Sequence, residues 1–290
     1  MDETFRQFLL EGRLAGTRYG VAVTHTIQRG FVGSELANRA GSSLEFMDHR
    51  EYVPGDDLRR IDWSAFARSD KLTIKLFRDE VNPHVDIIID CSRSMALENT
   101  PKLRATLGLA ALFAQAAANC DYTFTAWQAG ETCQKVINGA DNPVLWDGIE
   151  FDSSAGCEQS LRRGPPMWRP RSIRVFLSDL FWMGDPTSTL CMIADRASAV
   201  FVIQILADCD VNPPQPGNIR FRDCETERVE DMFVDTVAQE RYRRNLTNHQ
   251  HNWNRACRQF GAVISTVVAE RIVEQWMLDV LVLAGVLKVL

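Results

Sequence analysis

The fold of this chain is constrained most by three short segments that are apolar over nearly their whole length and are bounded by turn residues. They are HVDIIID (84–90), SIRVFLSDLF (172–181) and AVFVIQILAD (199–208). Strands that are apolar on both faces are typical of a parallel sheet covered by helices. Helical patterns alternate with them, including an alanine-rich stretch at 103–119 and a long one at 236–261. The sequence therefore predicts an α/β fold with a mostly parallel sheet and helices on both faces.

The first part of the chain has a different pattern. Residues 18–80 are short, alternating segments with turn sequences such as VPGDD and ARSD, which favour β-hairpins. We therefore expect a β-rich appendage over 1–82 and an α/β domain over 83–290. The apolar tail, 276–290, includes two charged side chains and falls short of the ~20 apolar residues that span a bilayer. We expect it to form a last helix of the core, over 270–290.

The composition limits the classes of partner and compartment. A formal net charge of −6 at pH 7 argues against a nucleic-acid binder that relies on a positive field. One basic run, 161–174, interleaves arginines with Trp168, and here a solvated loop or a protein contact is expected. The first residues lack the charged and apolar regions of a signal peptide, and no two of the eight cysteines are spaced as CxxC. We expect reduced thiols, a cytoplasmic location and no membrane span.

Oxygen-bearing side chains stand where two of the apolar strands end. Asp90 ends the first strand and is followed at alternate positions by Ser92 and Ser94, and Asp179 ends the second. In open parallel sheets, ligands bind at the carboxyl ends of strands. Two carboxylates and two hydroxyls suit Mg²⁺, Mn²⁺ or Ca²⁺. The alternative is a capped turn, because serine and aspartate also form turns and cap helices.

Two motifs carry a resemblance to known families. The segment DCSRS, which contains Asp90, Ser92 and Ser94, resembles the DxSxS signature of von Willebrand factor A domains, which build a metal-ion-dependent adhesion site. The segment before it closely resembles the hallmark of the bacterial domain of unknown function 58 family, and the resemblance extends over roughly 18–285. The matching hallmark residues are Glu45, Phe46, Arg50, Tyr52, Pro54, Gly55, Asp56, Asp57, Arg59, Ile61, Asp62, Trp63, Ala67 and Arg68.

The resemblance implies a von Willebrand factor A-like fold and a set of metal ligands. Asp90, Ser92, Ser94 and Asp179 match the ligand positions. A third loop usually adds a threonine, and the equivalent segment here has Ser153 and Ser154 instead. Many A-type domains also have a glycine after the second acid, where this chain has a leucine.

The resemblance further implies a non-enzymatic adaptor. Its cation, Mg²⁺ or Mn²⁺ with Ca²⁺ as a further candidate, accepts an acidic side chain of a protein partner. Proteins similar to this family act alongside MoxR-type AAA+ ATPases in chaperone-like or complex-maturation roles. The resemblance therefore makes an ATPase of that type the expected partner.

Two other functions stay open. A metal-dependent hydrolase would use the same carboxylates to activate a water, but it needs a general base near the ion. His84 stands six residues before Asp90, about 20 Å away along a strand, so it is badly placed for that role. A metal-free scaffold would use the serines only to cap a helix. The paired acids Asp56 and Asp57 we interpret as part of an ion-paired hairpin or a partner-binding surface rather than as catalytic groups.

Overall fold

The computed structural model describes residues 3–22, 44–54, 56, 58–79, 83–182 and 184–290. The chain forms two compact units, and the larger one is built from two separate stretches, Met1–Phe31 and Pro83–Leu290. The smaller unit is Val32–Asn82. The helices are α1 (Glu3–Gly16), α2 (Trp63–Ser69), α3 (Lys102–Ala118), α4 (Cys157–Arg163), α5 (Pro186–Ala194), α6 (Asp208–Val211), α7 (Thr236–Gln259), α8 (Ala269–Gln275) and α9 (Asp279–Leu283). The strands are β1 (Tyr19–Val21), β2 (Leu44–Glu51), β3 (Thr73–Asp79), β4 (His84–Asp90), β5 (Thr123–Ala129), β6 (Cys133–Lys135), β7 (Ile173–Ser178), β8 (Ala199–Leu206), β9 (Gly217–Arg222), β10 (Val229–Val234), β11 (Val263–Val268) and β12 (Leu287–Val289).

A six-stranded sheet forms the centre of the larger unit. Its strand order is β11-β8-β7-β4-β5-β6, and every neighbouring pair is parallel except β5 with β6. The predicted α/β fold with a mostly parallel sheet is therefore confirmed. The chain leaves β4 toward β5 on one side, and β7 lies against its other side. This reversal is the topological switch point, where open sheets of this kind place their ligand sites.

The sheet is buried on both faces, as its strand sequences require. In β4 every residue is buried, and its side chains alternate between two core clusters. Val85, Ile87 and Ile89 pack in the cluster that contains α3, whereas Ile88 packs with Trp253 of α7. Because each face is closed by helices, only the strand ends are left for polar chemistry.

The N-terminal helix α1 packs on α3 and belongs to the larger unit, not to the appendage expected over 1–82. The two helices approach so closely that a Cβ on Gly12 would overlap the backbone of Gly108. An ion pair of 2.7 Å between Arg104 and Glu11 joins them as well. The sequence pattern did not predict α1, because the glycine that forms this contact stands among polar side chains and gives no clear apolar pattern.

The C-terminal segment is not the single helix predicted over 270–290. Helix α8 ends at Gln275, and its C-cap residue Trp276 takes a left-handed backbone conformation with φ 49°. Gly285, after α9, is also left-handed, with φ 71°. The chain then turns into β12, which pairs antiparallel with β1. Among the described residues, no helix is both long enough and apolar enough to cross a membrane.

The smaller unit is built on the antiparallel pair of β2 and β3, with α2 between them. Asp62 caps α2, since its Oδ1 accepts hydrogen bonds from Ser64 N and Ala65 N, and its Oδ2 lies 2.7 Å from His49 Nε2. The hydrogen bond from His49 is the largest cause that lowers the pKa of Asp62 to about 2. Helix α2 replaces the turn that ARSD predicts.

The hallmark hairpin contains the expected kind of ion pair. Arg50 Nη2 lies 2.8 Å from Asp56 Oδ1. A hydrogen bond from the Val53 backbone is the largest cause that lowers the pKa of Asp56, and the contact with Arg50 lowers it further. Gly55 and Asp57 lie outside the described residues.

Candidate functional site

The two strand-end acids lie side by side. Asp90 is the last residue of β4, Asp179 directly follows the last residue of β7, and the two strands are parallel neighbours. Both acids are 1% exposed. The structure therefore brings together the two carboxylates that the sequence pattern selected, at the switch point of the sheet.

Asp90 is held in place by two hydrogen bonds but makes no ion pair with any described residue. Its Oδ1 accepts from Ser92 N at 3.0 Å and its Oδ2 from Ser178 Oγ at 2.6 Å. Burial, followed by the negative charge of Asp179, raises the pKa of Asp90 to about 6. A carboxyl with this pKa marks a place where positive charge is stabilising.

The two serine hydroxyls point at each other. Ser92 Oγ and Ser94 Oγ are 3.0 Å apart, and Ser92 makes no side-chain cap to the short 3₁₀ turn that follows it. Helix α3 begins later, at Lys102, with Pro101 as its N-cap residue. The Ser92 hydroxyl thus caps no helix, whereas Asp90 caps the turn after β4 by accepting from Ser92 N.

Of the two serines in the third loop, the structure places Ser153 beside the motif. Its backbone forms a parallel bridge with Ser92, and its carbonyl accepts from Arg93 N at 3.0 Å. The hydroxyl of Ser153 donates to Glu131 at 3.2 Å and accepts from Ala155 N. Ser154, in contrast, is exposed.

The residue after the second acid keeps the conformation that a glycine would favour. Leu180 is fully buried and has φ 65°, which is uncommon for a side chain of this size. The hydroxyl of Ser178 accepts a hydrogen bond from Leu180 N at 2.9 Å and so holds the turn. Strained backbone of this kind clusters at functional sites, and here it fixes the direction of Asp179.

A buried lysine, which the sequence pattern did not select, already contacts Asp179. Lys102 Nζ lies 2.7 Å from Asp179 Oδ2 and 3.2 Å from Asp210 Oδ2, and the lysine is 1% exposed. Burial lowers the pKa of Lys102, but the two carboxylates outweigh it and the pKa is raised. A signal was present in the sequence, because a lysine at the start of a helix opposes the helix dipole and therefore indicates a specific acidic partner.

A third acid reaches the site from a distant part of the sequence. Glu225 lies in the turn between β9 and β10, and its Oε1 accepts from Ser94 N at 3.2 Å. Its other oxygen, Oε2, is buried without a hydrogen-bond partner. Burial raises the pKa of Glu225, and the charge of Asp179 adds to this. Glu225 and Ser94 are 131 positions apart in the sequence, so no local motif could have indicated this contact.

The donor chemistry fits a hard divalent cation. The carboxyl of Asp90, the hydroxyls of Ser92 and Ser94, and the unpartnered oxygen of Glu225 are the oxygens that Mg²⁺, Mn²⁺ and Ca²⁺ prefer. Both oxygens of Asp179 have partners, Lys102 Nζ and Phe181 N. Among the described residues, no three His, Cys, Asp or Glu side chains form a metal-binding group. A cation at this site would therefore depend on the serine hydroxyls.

Two histidines bear on the question of a general base, and His84 is as far from Asp90 as the sequence predicts. His84 lies at the opposite end of β4 from Asp90, hydrogen-bonded to Thr123. His249 lies in the polar sequence TNHQHN, but its side chain is partly buried, with its ring 5.8 Å from Phe181. Its Nε2 is buried and unpartnered. Burial lowers the pKa of His249, against the smaller effects of the Leu180 backbone and Asp179.

Comparison with known proteins confirms the resemblance to the domain of unknown function 58 family. The family model described as "Protein of unknown function DUF58" matches residues 48–141, a segment that includes Asp90, Ser92 and Ser94 but ends before Asp179. Two relatives are "Uncharacterized protein Mb1516" of Mycobacterium bovis and "Uncharacterized protein Rv1480" of Mycobacterium tuberculosis. Each is 25% identical over 266 residues, which cover 86% of this chain and 81% of the relative.

Two solved structures show distant likeness. The conserved hypothetical protein BatB from Bacteroides thetaiotaomicron is 10% identical, with a TM-score of 0.35, over 70% of this chain and 98% of that one. An aerotolerance-related membrane protein from Bacteroides fragilis is 12% identical, with a TM-score of 0.31, over 62% of this chain and 98% of that one. Likeness at this level assigns no fold.

Proposed function

This chain is a DUF58 family protein over residues 48–141, and on that premise we propose that it is a non-enzymatic protein-interaction adaptor with a divalent-cation site. The larger unit would be a von Willebrand factor A-like domain. One observation carries the proposal. Asp90, Ser92 and Ser94 converge at the switch point of the sheet, with the Asp90 pKa raised to about 6 by burial and the charge of Asp179.

Each residue has a distinct part in this proposal. Asp90, Ser92 and Ser94 would hold the cation, and Asp179 would add negative charge from the neighbouring strand. Lys102 limits that charge by pairing with Asp179. When bound, Mg²⁺ or Mn²⁺ (or Ca²⁺) supplies positive charge and a coordination position for an external carboxylate. For a chain with a net charge of −6, such a cation gives an acidic partner a specific place to bind.

The partner that the family resemblance favours is a MoxR-type AAA+ ATPase, in chaperone-like complex assembly or maturation. A cytoplasmic location remains part of this proposal. The partner prediction is tested directly by pull-down of the ATPase with this chain, in Mg²⁺ and in chelator. Recovery in Mg²⁺ alone supports a cation-dependent contact, and equal recovery under both conditions contradicts it.

Calorimetric titration of Mg²⁺ and Mn²⁺ into chelator-stripped protein tests the cation site. We expect saturable binding in the wild type, loss of binding in Asp90→Ala, and no change in Asp141→Asn. The last variant is a matched control because Asp141 is exposed and its change removes the same charge. If the wild type binds neither ion, the adaptor mechanism is wrong. Lys102 would then be the cation of a metal-free scaffold.

A metal-dependent hydrolase is the second candidate, and one observation favours it. His249 Nε2 is buried without a partner, and the nearby charge of Asp179 acts on the ring. A neutral imidazole beside an acid cluster is suited to general-base chemistry. Hydrolysis of p-nitrophenyl phosphate or its bis ester in Mn²⁺, lost in both Asp179→Ala and His249→Ala, would support this function. Absence of turnover would contradict it.

A further inference from the structure

The hairpin of β9 and β10 is joined to the rest of the described chain by few contacts. Its strands pair only with each other, from Gly217 with Val234 to Arg222 with Val229. Of its side chains only Val234 is buried. An isolated two-stranded ribbon is marginally stable in water and offers unpaired edges. Something else must therefore hold or cover it.

One face of the ribbon carries three apolar side chains beside Glu230, which is paired with Phe221. Side chains alternate between the faces of a strand, and residues directly opposite share a face. Ile219 pairs with Met232, and Phe221 stands two residues from Ile219, so these three lie together. Phe221 is 40% and Met232 49% exposed. We call Ile219, Phe221 and Met232 the apolar strip. The opposite face holds the Arg220–Asp231 ion pair.

The turn of the hairpin is arranged to present Glu225. The side chain of Asp223 accepts hydrogen bonds from Glu225 N at 2.8 Å and Thr226 N at 3.3 Å. Glu225 in turn accepts two hydrogen bonds from the serine motif. Its carboxylate accepts from Ser94 N, and its carbonyl oxygen accepts from Arg93 Nη1 at 3.4 Å.

The two carboxylate oxygens of Glu225 differ in their contacts. Oε1 accepts the hydrogen bond from Ser94 N, whereas Oε2 is buried without a hydrogen-bond partner. A buried acceptor left unpaired is destabilising, so this position is stable only when another contact offsets the cost. The side chain is thus held in a place that suits a carboxylate bound to a cation, rather than in one that satisfies a carboxylate by itself.

We propose that the β9–β10 hairpin is a docking arm, and that Glu225 occupies within the chain the position that the carboxylate of a partner takes. The partner is a protein segment that carries an acidic side chain flanked by apolar ones. Its acid displaces Glu225 from Ser94, and its apolar side chains cover the apolar strip. This inference rests on the proposed cation site, because the cation makes both carboxylates bind. It adds the chemistry of the partner and a reason for the exposed ribbon.

The test uses the full chain and compares Glu225→Ala with Glu227→Ala. Glu227 is an exposed acid of the same turn, paired with the exposed Arg222, so its removal changes the charge equally. Hydrogen exchange in Mg²⁺ is followed for peptides that cover 217–234. We expect at least tenfold faster exchange in Glu225→Ala and little change in Glu227→Ala. Equal exchange in wild type and Glu225→Ala would refute the proposal that this acid holds the arm.

Binding is measured with a capped pentapeptide that has a central aspartate flanked by leucines, and with its asparagine twin. If the arm is closed nine-tenths of the time, its opening raises affinity for the aspartate peptide about tenfold in Glu225→Ala. Phe221→Ser should weaken that binding, whereas Phe233→Ser, on the other face, should not. No rise in affinity for Glu225→Ala, or equal binding of the twin, overturns the proposal.

Calorimetry separates failure of this inference from failure of the proposed function. If Glu225→Ala binds Mg²⁺ but the peptide results are negative, only the docking arm is wrong. If wild type and Glu225→Ala both fail to bind Mg²⁺ or Mn²⁺, the proposed cation site is wrong, and the docking-arm proposal, which depends on it, is wrong as well.

Discussion

Replacement of Asp90 by asparagine should stabilise the metal-free protein at neutral pH. Asparagine has the same shape, its carbonyl oxygen can accept from Ser92 N, and its amide can donate to Ser178 Oγ, which holds the other Asp90 oxygen at 2.6 Å. What the substitution removes is the buried negative charge beside Asp179. A site built for a cation is expected to carry this kind of cost.

The expected gain in unfolding free energy follows from the raised pKa of Asp90. In the folded chain the pKa of Asp90 is raised from 3.8 to about 6. An acid with a raised folded pKa loses stability as pH rises from its unfolded pKa through its folded one. A rise of about two pH units corresponds to about 3 kcal/mol, which is the ceiling for Asp90→Asn above pH 7. Below pH 4 the gain should vanish, because wild-type Asp90 is then protonated.

Urea unfolding of chelator-stripped protein between pH 4 and pH 8 measures the difference in unfolding free energy between Asp90→Asn and the wild type. Tryptophan fluorescence reports on the larger unit through Trp146 and Trp253, which are 1% exposed. Asp141→Asn is the control for a change in net charge and should follow the wild type. A gain that is absent at pH 7.5, or equal at pH 4 and pH 7.5, refutes the reasoning. With Mg²⁺ present, the wild type should recover stability and Asp90→Asn should not.

Three further predictions concern charge and packing. Lys102→Met should cost about 3–5 kcal/mol of unfolding free energy, because it leaves Asp179 buried without its cation, and addition of Asp179→Asn should restore part of the loss in urea unfolding. Asp62 should titrate near pH 2 by NMR. Since its folded pKa is lowered, its contribution to the smaller unit is present above pH 4 and is lost as pH falls toward 2. Gly12→Ala should destabilise the larger unit by about 1–3 kcal/mol, because the new methyl overlaps the Gly108 backbone.

Each of these has a matched control or a contradicting result. Leu14→Ala, on an exposed position of α1, should change stability by less than about 0.5 kcal/mol and controls for helix propensity at Gly12. An undiminished loss in the Lys102 and Asp179 double variant would show that the lysine acts through packing rather than charge. A carboxyl of Asp62 that titrates at pH 4, or that is unaffected by His49→Ala, would contradict the account of its low pKa.

The parts of the fold that sequence predicts well are those where a single strand must be buried on both sides. HVDIIID can meet that condition only inside a covered sheet, so β4 and its end were predictable. Helix α1 was not, because what places it is the close approach of Gly12 to Gly108, a contact between residues far apart in the chain. The prediction of a single helix over 270–290 was wrong for a related reason. Its apolar side chains predict burial, but β12 forms only because β1 is present to pair with it.

The residues of the candidate site likewise fall into those that the sequence pattern selected and those that only tertiary contacts bring to the site. Asp90, Ser92, Ser94 and Asp179 stand at strand ends, and parallel strands bring their ends to one edge, so the sequence order was enough to group them. Glu225 and Lys102 reach the site by tertiary contacts across 131 and 77 residues. The position of Lys102 at the start of a helix indicates that it has an acidic partner but does not identify that partner, and no sequence pattern indicates Glu225.

The pairing of β1 with β12 has a consequence for how this chain can be divided. The smaller unit is an insertion, since the chain leaves the larger unit after its first residues and returns at Pro83. A fragment that starts at Pro83 would lack α1 and β1, so it would expose the α3 surface around Gly108 and leave an unpaired edge at β12. Excision of the insert, with a linker that joins the flanking segments, would keep α1 and β1 in the chain and with them both contacts. Deletion analysis of this chain should therefore rejoin it, not truncate it.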